Sequence, residues 1–343
     1  MPQWTGRRAA MPVMGFSPEL DRLVAAQAGL VSIDQLLAAG VSSRVARRRV
    51  DSGTWARVTR GVYDLRPQAG QRRDWDDRRR RSAWAGLLAF GPEAIAVGTT
   101  ALVLHGVQGV PAGVAPEVAL PRASDRTTRD GIRLRQFDDG MTTVQIGGRA
   151  VATVERALAQ AVPELPRARA LAVLDSALHR RSIDPDGLAR AHDLARGRRG
   201  VADTHALWGM ADGRAESPLE SFGRLDCVDA GVPPDVLQLP VLDADGRVVA
   251  RGDMGWRLGG GRWLVAEMDG ADVHSDPEAV YADRTRQNRL AVSGTIELLR
   301  FTGRDVPGGV GPAIRAFLDR RVEHGKSDRR TRGWRPESAD FGP

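Results

Sequence analysis

Apolar residues near the start of the chain recur at the three- and four-residue spacing of helices. Three short helices are predicted, each preceded by a serine that can cap it: Ser17, Ser32 and Ser42. The following segment, residues 54–65, alternates apolar and polar side chains and predicts a short hairpin. Three helices followed by a hairpin are the plan of a winged helix-turn-helix, which we predict for residues 17–66, with the third helix presented to a DNA groove.

The pattern changes to a mixture of strands and helices over residues 72–210. Strands are predicted at 117–120, 132–137 and 142–146, and residues 167–208 are almost entirely helical in pattern. We therefore predict a middle α+β region.

A third folded region is predicted over residues 214–322. Its predicted elements are, in order, a helix from Ser217, a strand over 236–242, a hairpin through the glycines 259–261, a helix from Asp276, a strand over 296–301 and a helix over 314–322. The chain is thus expected to be an α/β multidomain protein. The polar segments 1–16 and 323–343, the second of them basic, are predicted to be disordered.

The sequence has 343 residues and a formal net charge of +7, supplied almost entirely by arginine. Guanidinium groups bind phosphate oxygens well, so nucleic acid is the expected partner. The single cysteine, Cys227, excludes an intramolecular disulfide and a cysteine-rich zinc site. No apolar run reaches the roughly 18 residues of a membrane helix. The N-terminus lacks a signal-peptide pattern, so a cytoplasmic protein with no membrane association is expected.

Arginines are concentrated in the third predicted helix and in the hairpin after it. Arg44, Arg47 and Arg48 share one face of the helix, and Arg57 and Arg60 belong to the hairpin. We predict that these five side chains contact DNA. The alternative is a solvated basic helix in a protein-interaction module.

A resemblance to a known family supports the DNA interpretation. The segment from Gly29 to Leu65, which contains these arginines, resembles the N-terminal domain of abortive-infection (AbiE-type) type IV antitoxins. The middle region resembles the domain that follows in related proteins. The resemblance implies a transcriptional repressor, and the partner expected besides DNA is a toxin or a second copy of the chain.

Acidic residues cluster in the hairpin of the third region. If its turn is centred on Gly260, Asp253 lies opposite Glu267 and Arg251 lies opposite Asp269. Three carboxylates then converge, and a hard cation such as Mg²⁺ or Mn²⁺ would relieve their repulsion. The alternative is a structural Arg251–Asp269 pair beside a protonated or solvated Glu267, and a one-residue bulge would change the register.

A second resemblance rests on Asp253, the run Glu267-Met268-Asp269-Gly270, His274, Asp283-Arg284 and the strand 296–301. Over residues 216–321 the chain resembles the very-short-patch-repair-like branch of the PD-(D/E)xK nuclease superfamily, which implies a restriction-endonuclease-like α/β core. It also implies a Mg²⁺- or Mn²⁺-dependent endonuclease with Asp253, Glu267, Asp269 and His274 as catalytic residues. The chain departs from the superfamily at Asp269, where Lys is usual.

Three further positions have two interpretations each. Glu220 completes a helix cap begun by Ser217, and in the nuclease resemblance it is also a metal ligand. Arg284 and Arg286 either hold phosphate or form the polar outer face of a helix. His274 is either an aid to the leaving oxygen or a surface residue.

Together these patterns favour a DNA-binding, divalent-metal-dependent phosphodiester hydrolase, an endonuclease acting in defence, mobile-element or repair processes. The alternative is a non-catalytic transcriptional regulator or type IV antitoxin-like protein whose nuclease domain is degenerate. Retention of Asp253, Glu267 and Asp269 favours the first, and the absent Lys favours the second.

Overall fold

A computed structural model describes residues 17–67, 74–121, 127–136, 141–242, 245–270 and 295–332, and it describes their side chains except for Val249 and residues 322–332. The chain divides into two compact units between Met210 and Ala211. Both units combine helices with a β-sheet, so the predicted α/β multidomain class is confirmed.

The first part of unit 1 contains the three predicted helices and the predicted hairpin. Its elements are α1 (Pro18–Ala26), β1 (Leu30–Ser32), α2 (Ile33–Ala38), α3 (Ser43–Asp51), β2 (Ala56–Thr59) and β3 (Val62–Asp64). The strands form an antiparallel sheet in the order β1-β3-β2. All three predicted serine caps are confirmed, since Ser17, Ser32 and Ser42 each accept a hydrogen bond from a backbone N–H three residues on. The apolar faces of the three helices meet in a core that includes Leu36, Ala46 and Trp55.

The rest of unit 1 is built around a five-stranded sheet in the order β6-β5-β4-β8-β7. Its elements are α4 (Trp75–Ala89), β4 (Ile95–Ala96), α5 (Gly98–Leu104), β5 (Glu117–Ala119), β6 (Arg133–Arg135), β7 (Thr143–Ile146), β8 (Arg149–Ala152), α6 (Val154–Ala161), a 3-10 turn (Val162–Glu164), α7 (Arg167–His179), α8 (Pro185–Ala195) and α9 (Val201–Met210). The three predicted strand segments of this region are confirmed.

Polar contacts link the first part of unit 1, from α1 to β3, to the part that begins with α4. Asp64, at the end of β3, pairs with Arg81 of α4, and both side chains are largely buried. Arg81 Nη1 also donates to the carbonyl oxygen of Ala28 over 3.0 Å. The β2–β3 hairpin receives a further contact from Asp130, described below.

Unit 2 is a four-stranded sheet in the order β12-β11-β10-β9, with helices packed on it. Its elements are α10 (Pro218–Asp229), β9 (Val236–Leu242), β10 (Val248–Gly259), β11 (Arg262–Asp269), β12 (Ile296–Thr302) and α11 (Val310–Arg332). Strands β11 and β12 are parallel and the other pairs are antiparallel. Its core joins both helices to the sheet and includes Cys227, Met254, Trp256, Leu264 and Ile314.

The ends of the chain differ from the sequence prediction where they can be compared. Helix α11 continues to Arg332, past residue 322 where the predicted closing helix ends, and the disorder predicted for residues 323–343 stays a prediction. Residues 323–332 contain Gly325, a poor helix former, but no proline, and polarity alone does not end a helix. The predictions for residues 1–16, for residues 333–343 and for the helix from Asp276 lie outside the described residues.

The central hairpin has the predicted register along most of its length. Residues 254, 255, 256 and 257 pair with 266, 265, 264 and 263, as expected for a turn centred on Gly260. The register shifts at the turn itself, where Gly259 pairs with Arg262. Gly259, Gly260 and Gly261 all have positive φ, at 81°, 59° and 76°. Only glycine adopts three such angles in succession without strain, which accounts for the glycine run.

Candidate functional sites

The five arginines predicted to contact DNA are all exposed in unit 1. Helix α3 buries Ala46 completely and leaves Arg44, Arg47 and Arg48 in solvent, and Arg57 and Arg60 are exposed on the β2–β3 hairpin. We call these five side chains the basic surface. A cationic surface of this kind is what phosphate contacts require.

One apolar residue of α3 lies differently from the prediction. Helical spacing predicts that Val45, Ala46 and Val50 share one face of α3, but Val45 is 38% exposed. Successive residues of a helix point about 100° apart, so the full burial of Ala46 turns Val45 towards solvent. Val45 therefore lies among the exposed residues of α3.

Asp130 contacts the β2–β3 hairpin and is a residue that sequence reasoning missed. Its Oδ2 accepts a hydrogen bond from Thr59 Oγ1 over 2.8 Å. The hydrogen bond from Thr59 is the largest cause that lowers the pKa of Asp130, and the nearby backbone N–H of Arg60 and the charges of Arg129 and Arg57 act in the same direction. The available signal was the Asp130-Gly131 pair, since Asp-Gly is typical of a tight hairpin turn.

Two of the three acidic residues of the β10–β11 hairpin, Asp253 and Asp269, accept hydrogen bonds from other groups of the protein. Asp253 Oδ2 accepts from the backbone N–H of Met268 over 2.8 Å. Asp269 forms a two-pronged pair with Arg300, with Nε–Oδ2 and Nη2–Oδ1 distances of 2.8 and 2.7 Å. Glu267 is 4% exposed. Arg300 is the β12 residue paired with Glu267.

The Ser217 cap of α10 is confirmed, whereas the Glu220 side chain bonds one residue further back, to Glu216, than the predicted capping box requires. The backbone N–H of Glu220 donates to Ser217 Oγ over 3.3 Å, and its own Oε2 accepts from the backbone N–H of Glu216 over 2.9 Å and from Gln238 Nε2 over 2.8 Å. Burial raises the pKa of the Glu220 carboxyl, and the nearby charge of Asp253 raises it further. Two acidic groups from different elements therefore lie near each other in unit 2.

Arg251 does not pair with Asp269, so this alternative from the sequence is wrong. Arg251 Nη2 lies 2.9 Å from Glu216 Oε1, and Asp269 is paired with Arg300. The physical reason is that β12 lies beside β11 in parallel, which brings Arg300 next to the acidic end of the strand. The hairpin by itself gives no information about that neighbour.

The described carboxylates do not fit a divalent-cation site by themselves. Within the ranges that the structure describes, no group of three or more His, Cys, Asp or Glu side chains is arranged to hold a metal ion. Oxygens of Asp253, Asp269 and Glu220 already accept hydrogen bonds from N–H donors. The assignment of Asp253, Glu267, Asp269 and Glu220 as metal ligands stays a prediction. His274, Arg284 and Arg286 lie outside the described residues.

Comparison with known proteins identifies the N-terminal part of unit 1. Residues 18–65 match the family described as "Transcriptional regulator, AbiEi antitoxin". Unit 1 thus begins with an AbiEi antitoxin-type transcriptional regulator domain. This confirms the first of the two resemblances, and the basic surface belongs to the matched segment.

Two relatives come from Mycobacterium tuberculosis. They are the uncharacterized protein MT2308 of strain CDC 1551 / Oshkosh and the uncharacterized protein Rv2248 of strain ATCC 25618 / H37Rv. Each is 32% identical to this chain over 183 residues, which cover 53% of this chain and 66% of the relative. In the part of the chain that the structure describes, no helix has the length and apolar character needed to cross a membrane.

Proposed function

We propose that this protein is a DNA-binding transcriptional regulator of the AbiEi antitoxin type. In this proposal residues 17–66 form a winged helix-turn-helix, α3 is the recognition helix and the β2–β3 hairpin is the wing. The single observation that carries the proposal is the exposed basic surface within the segment matched to the family. Exposed guanidinium groups on one short helix and the adjoining hairpin suit phosphate contacts on both sides of a groove.

Replacement of Arg44, Arg47 and Arg48 by Ala tests the proposal. Each phosphate that the protein neutralises releases counterions, so the variant should bind duplex DNA more weakly. The slope of log affinity against log salt should fall by about one unit for each phosphate that the variant no longer neutralises. Fluorescence anisotropy with labelled duplex over a series of salt concentrations measures both quantities.

A charge-matched control separates the basic surface from general electrostatic attraction. Arg190, Arg196 and Arg199 are exposed arginines elsewhere in unit 1, and their replacement by Ala removes the same three charges. The control should retain nearly all of the affinity and slope. Equal losses in both variants, or no loss in either, would reject α3 as the recognition helix.

An antitoxin-type domain also suggests a protein partner. We propose a toxin encoded by a neighbouring gene as that partner. The alternative that we propose is a second copy of the chain, because C2 dimers are the commonest oligomers of soluble proteins. Co-expression with the neighbouring gene product followed by affinity purification tests the first. Light scattering on the purified chain tests the second.

A second candidate function, metal-dependent phosphodiester hydrolysis in unit 2, rests on one specific observation. Buried Glu220 lies near enough to Asp253 for the charge of Asp253 to raise the pKa of Glu220, and carboxylates brought together in this way are typical of functional sites. The resemblance of residues 216–321 to the nuclease superfamily supports the same candidate. We propose it second because the described carboxylates do not complete a metal site by themselves.

Plasmid cleavage tests this second candidate directly. The full chain is incubated with supercoiled plasmid and EDTA, Mg²⁺ or Mn²⁺, beside an Asp253→Ala variant. An active nuclease nicks or linearises the plasmid only with metal, and the variant does not. An intact plasmid under every condition rejects the candidate and leaves the regulator.

A further inference from the structure

Asp130 lies in a two-residue turn that projects towards the β2–β3 hairpin. Asp130 and Gly131 have φ values of 52° and 72°, and Arg129 and Ile132 on either side form an antiparallel bridge. The backbone N–H of Ile132 donates to the carbonyl of Arg129 over 2.8 Å. Positive φ at both central residues is the geometry of a type I′ turn, for which Asp-Gly is a favoured pair.

The turn is anchored to the body of unit 1. Arg129 Nη2 donates to the carbonyl oxygen of Ala89 over 2.6 Å, and its guanidinium carbon lies 4.8 Å from the centre of the Phe90 ring. Ile132 is only 3% exposed. Asp130 is therefore presented from a fixed support at the end of α4, and not from a free loop.

Asp130 contacts the hairpin at its tip, between two residues of the basic surface. Thr59 is the last residue of β2 and donates its hydroxyl to Asp130 over 2.8 Å. The backbone N–H of Arg60 is near enough to Asp130 to lower the pKa of its carboxyl. Arg57 and Arg60 lie on either side of Thr59. The hydrogen bond from Thr59 thus restrains the part of the hairpin that carries these two arginines.

We propose that Asp130 is a positioning residue for DNA binding, which holds the tip of the β2–β3 hairpin so that Arg57 and Arg60 are fixed before DNA arrives. The proposal rests on the proposed DNA-binding function of the basic surface. Restraining a hairpin in advance lowers the conformational entropy lost on binding, so affinity rises with no new contact to DNA.

A competing electrostatic effect makes the role of Asp130 measurable. Its carboxylate is negative and lies beside a surface that would bind phosphate, so its charge alone would weaken DNA binding. Asp130→Asn removes the charge and retains an oxygen that accepts hydrogen bonds. Asp130→Ala removes the charge and the acceptor together. The two variants therefore separate positioning from repulsion.

The expected result is opposite for the two variants. Asp130→Ala should weaken duplex binding by roughly threefold to tenfold, the range that corresponds to about one net hydrogen bond. Asp130→Asn should bind as well as the parent or more tightly. Thr59→Val, which removes the hydroxyl donor at nearly constant volume, should reproduce part of the weakening seen in Asp130→Ala. Asp203→Asn, at an exposed acid of α9, is the charge control and should leave affinity unchanged.

Amide hydrogen exchange in the protein without DNA measures the restraint of the hairpin directly. This measurement does not depend on whether the protein binds DNA, so it is separate from the test of the proposed function. The amide of Arg60 should exchange faster in Asp130→Ala than in the parent, and at the parent rate in Asp130→Asn. If the variants show this exchange pattern and the parent binds no duplex, the proposed function fails and the restraint stands. If Asp130→Ala and Asp130→Asn tighten binding equally, or if neither changes affinity or exchange, the positioning role is overturned.

Discussion

At the scale of single residues, Glu220 combines a local role with a tertiary one. The local role is the cap of α10, which the serine and glutamate spacing predicts. The tertiary role follows from burial and from Asp253, which together raise the pKa of the carboxyl. The two roles have opposite effects on stability at neutral pH, because the hydrogen bonds favour the carboxylate and burial disfavours it.

The raised pKa of Glu220 gives a prediction for Glu220→Gln. A raised folded-state pKa means that folded protein holds this proton more tightly than unfolded protein does. The stabilisation is thus complete below the ordinary value of 4.5 and is lost as pH rises through the folded pKa. Glutamine is neutral at every pH and can still accept hydrogen bonds. Glu220→Gln should therefore raise the melting temperature of unit 2 at pH 7, with no gain below about pH 4.5.

Melting curves between pH 4 and pH 8 measure this effect, with Asp319→Asn, at an exposed acid of α11, as the control. A Glu220→Gln variant less stable than the parent at pH 7 would show that the hydrogen bonds to the carboxylate outweigh burial. The same curves with Mn²⁺ address the nuclease candidate. If Glu220 binds the ion, Mn²⁺ raises the melting temperature of the parent and not that of the variant.

At the scale of elements, close packing fixes β10 against β11. A Cβ atom added at Gly252 would lie 2.2 Å from Val265 Cγ1, and Val265 is completely buried. The glycine is required because the neighbouring side chain fills the space above it. Periodicity predicts the strand and gives no indication of this contact.

Gly252→Ala should lower the free energy of unfolding of unit 2 by about 1–3 kcal/mol, the usual cost of overpacking. Addition of Val265→Ala makes room for the new methyl group, so the double variant should lose less than the sum of the two single losses. Urea denaturation of the parent, both single variants and the double variant measures the coupling. Strict additivity would contradict the close packing at this site.

The contact between β3 and α4 gives a second prediction at this scale. Removal of one partner of a buried ion pair strands the other charge, so Asp64→Ala should destabilise unit 1 by about 3–5 kcal/mol. The double variant with Arg81→Leu should recover part of the loss. A cost below about 1 kcal/mol in chemical denaturation would show that solvent reaches the pair.

At the scale of the whole molecule, the chain comprises two compact units with separate cores. The only cysteine of the sequence, Cys227, is completely buried in the core of unit 2. Burial raises the pKa of its thiol to about 12. Since the thiolate is the reactive form, Cys227 reports on the opening of unit 2.

We expect Cys227 to resist a thiol reagent at pH 8 in the native protein and to react once unit 2 unfolds. Leu264→Ala, which leaves a cavity in that core at a typical cost of about 2–5 kcal/mol, should accelerate the reaction. Asp64→Ala in unit 1 should leave the rate unchanged. Rapid labelling of the native parent would contradict burial, and equal acceleration by both variants would show that the units unfold together.

The sequence by itself determined the features that arise from interactions between near neighbours. The serine caps of α1, α2, α3 and α10 and the hairpin register around Gly260 all depend on residues a few positions apart, so local patterns predict them. The resemblance of the N-terminal domain to AbiEi antitoxins was also evident from the sequence. The sequence did not determine whether the turn contains a bulge, because a three-glycine turn is compatible with more than one register.

Only the tertiary structure decided which distant groups meet. Arg300 pairs with Asp269 because β12 adds in parallel beside β11, and Asp130 reaches Thr59 because a turn of the middle region approaches the β2–β3 hairpin. Such contacts join residues far apart in sequence. The chain entropy lost in bringing these residues together is offset by burial throughout the core, and a short segment of sequence gives no information about that burial. The sequence therefore predicted the candidate groups, and the packing of the sheets determined their partners.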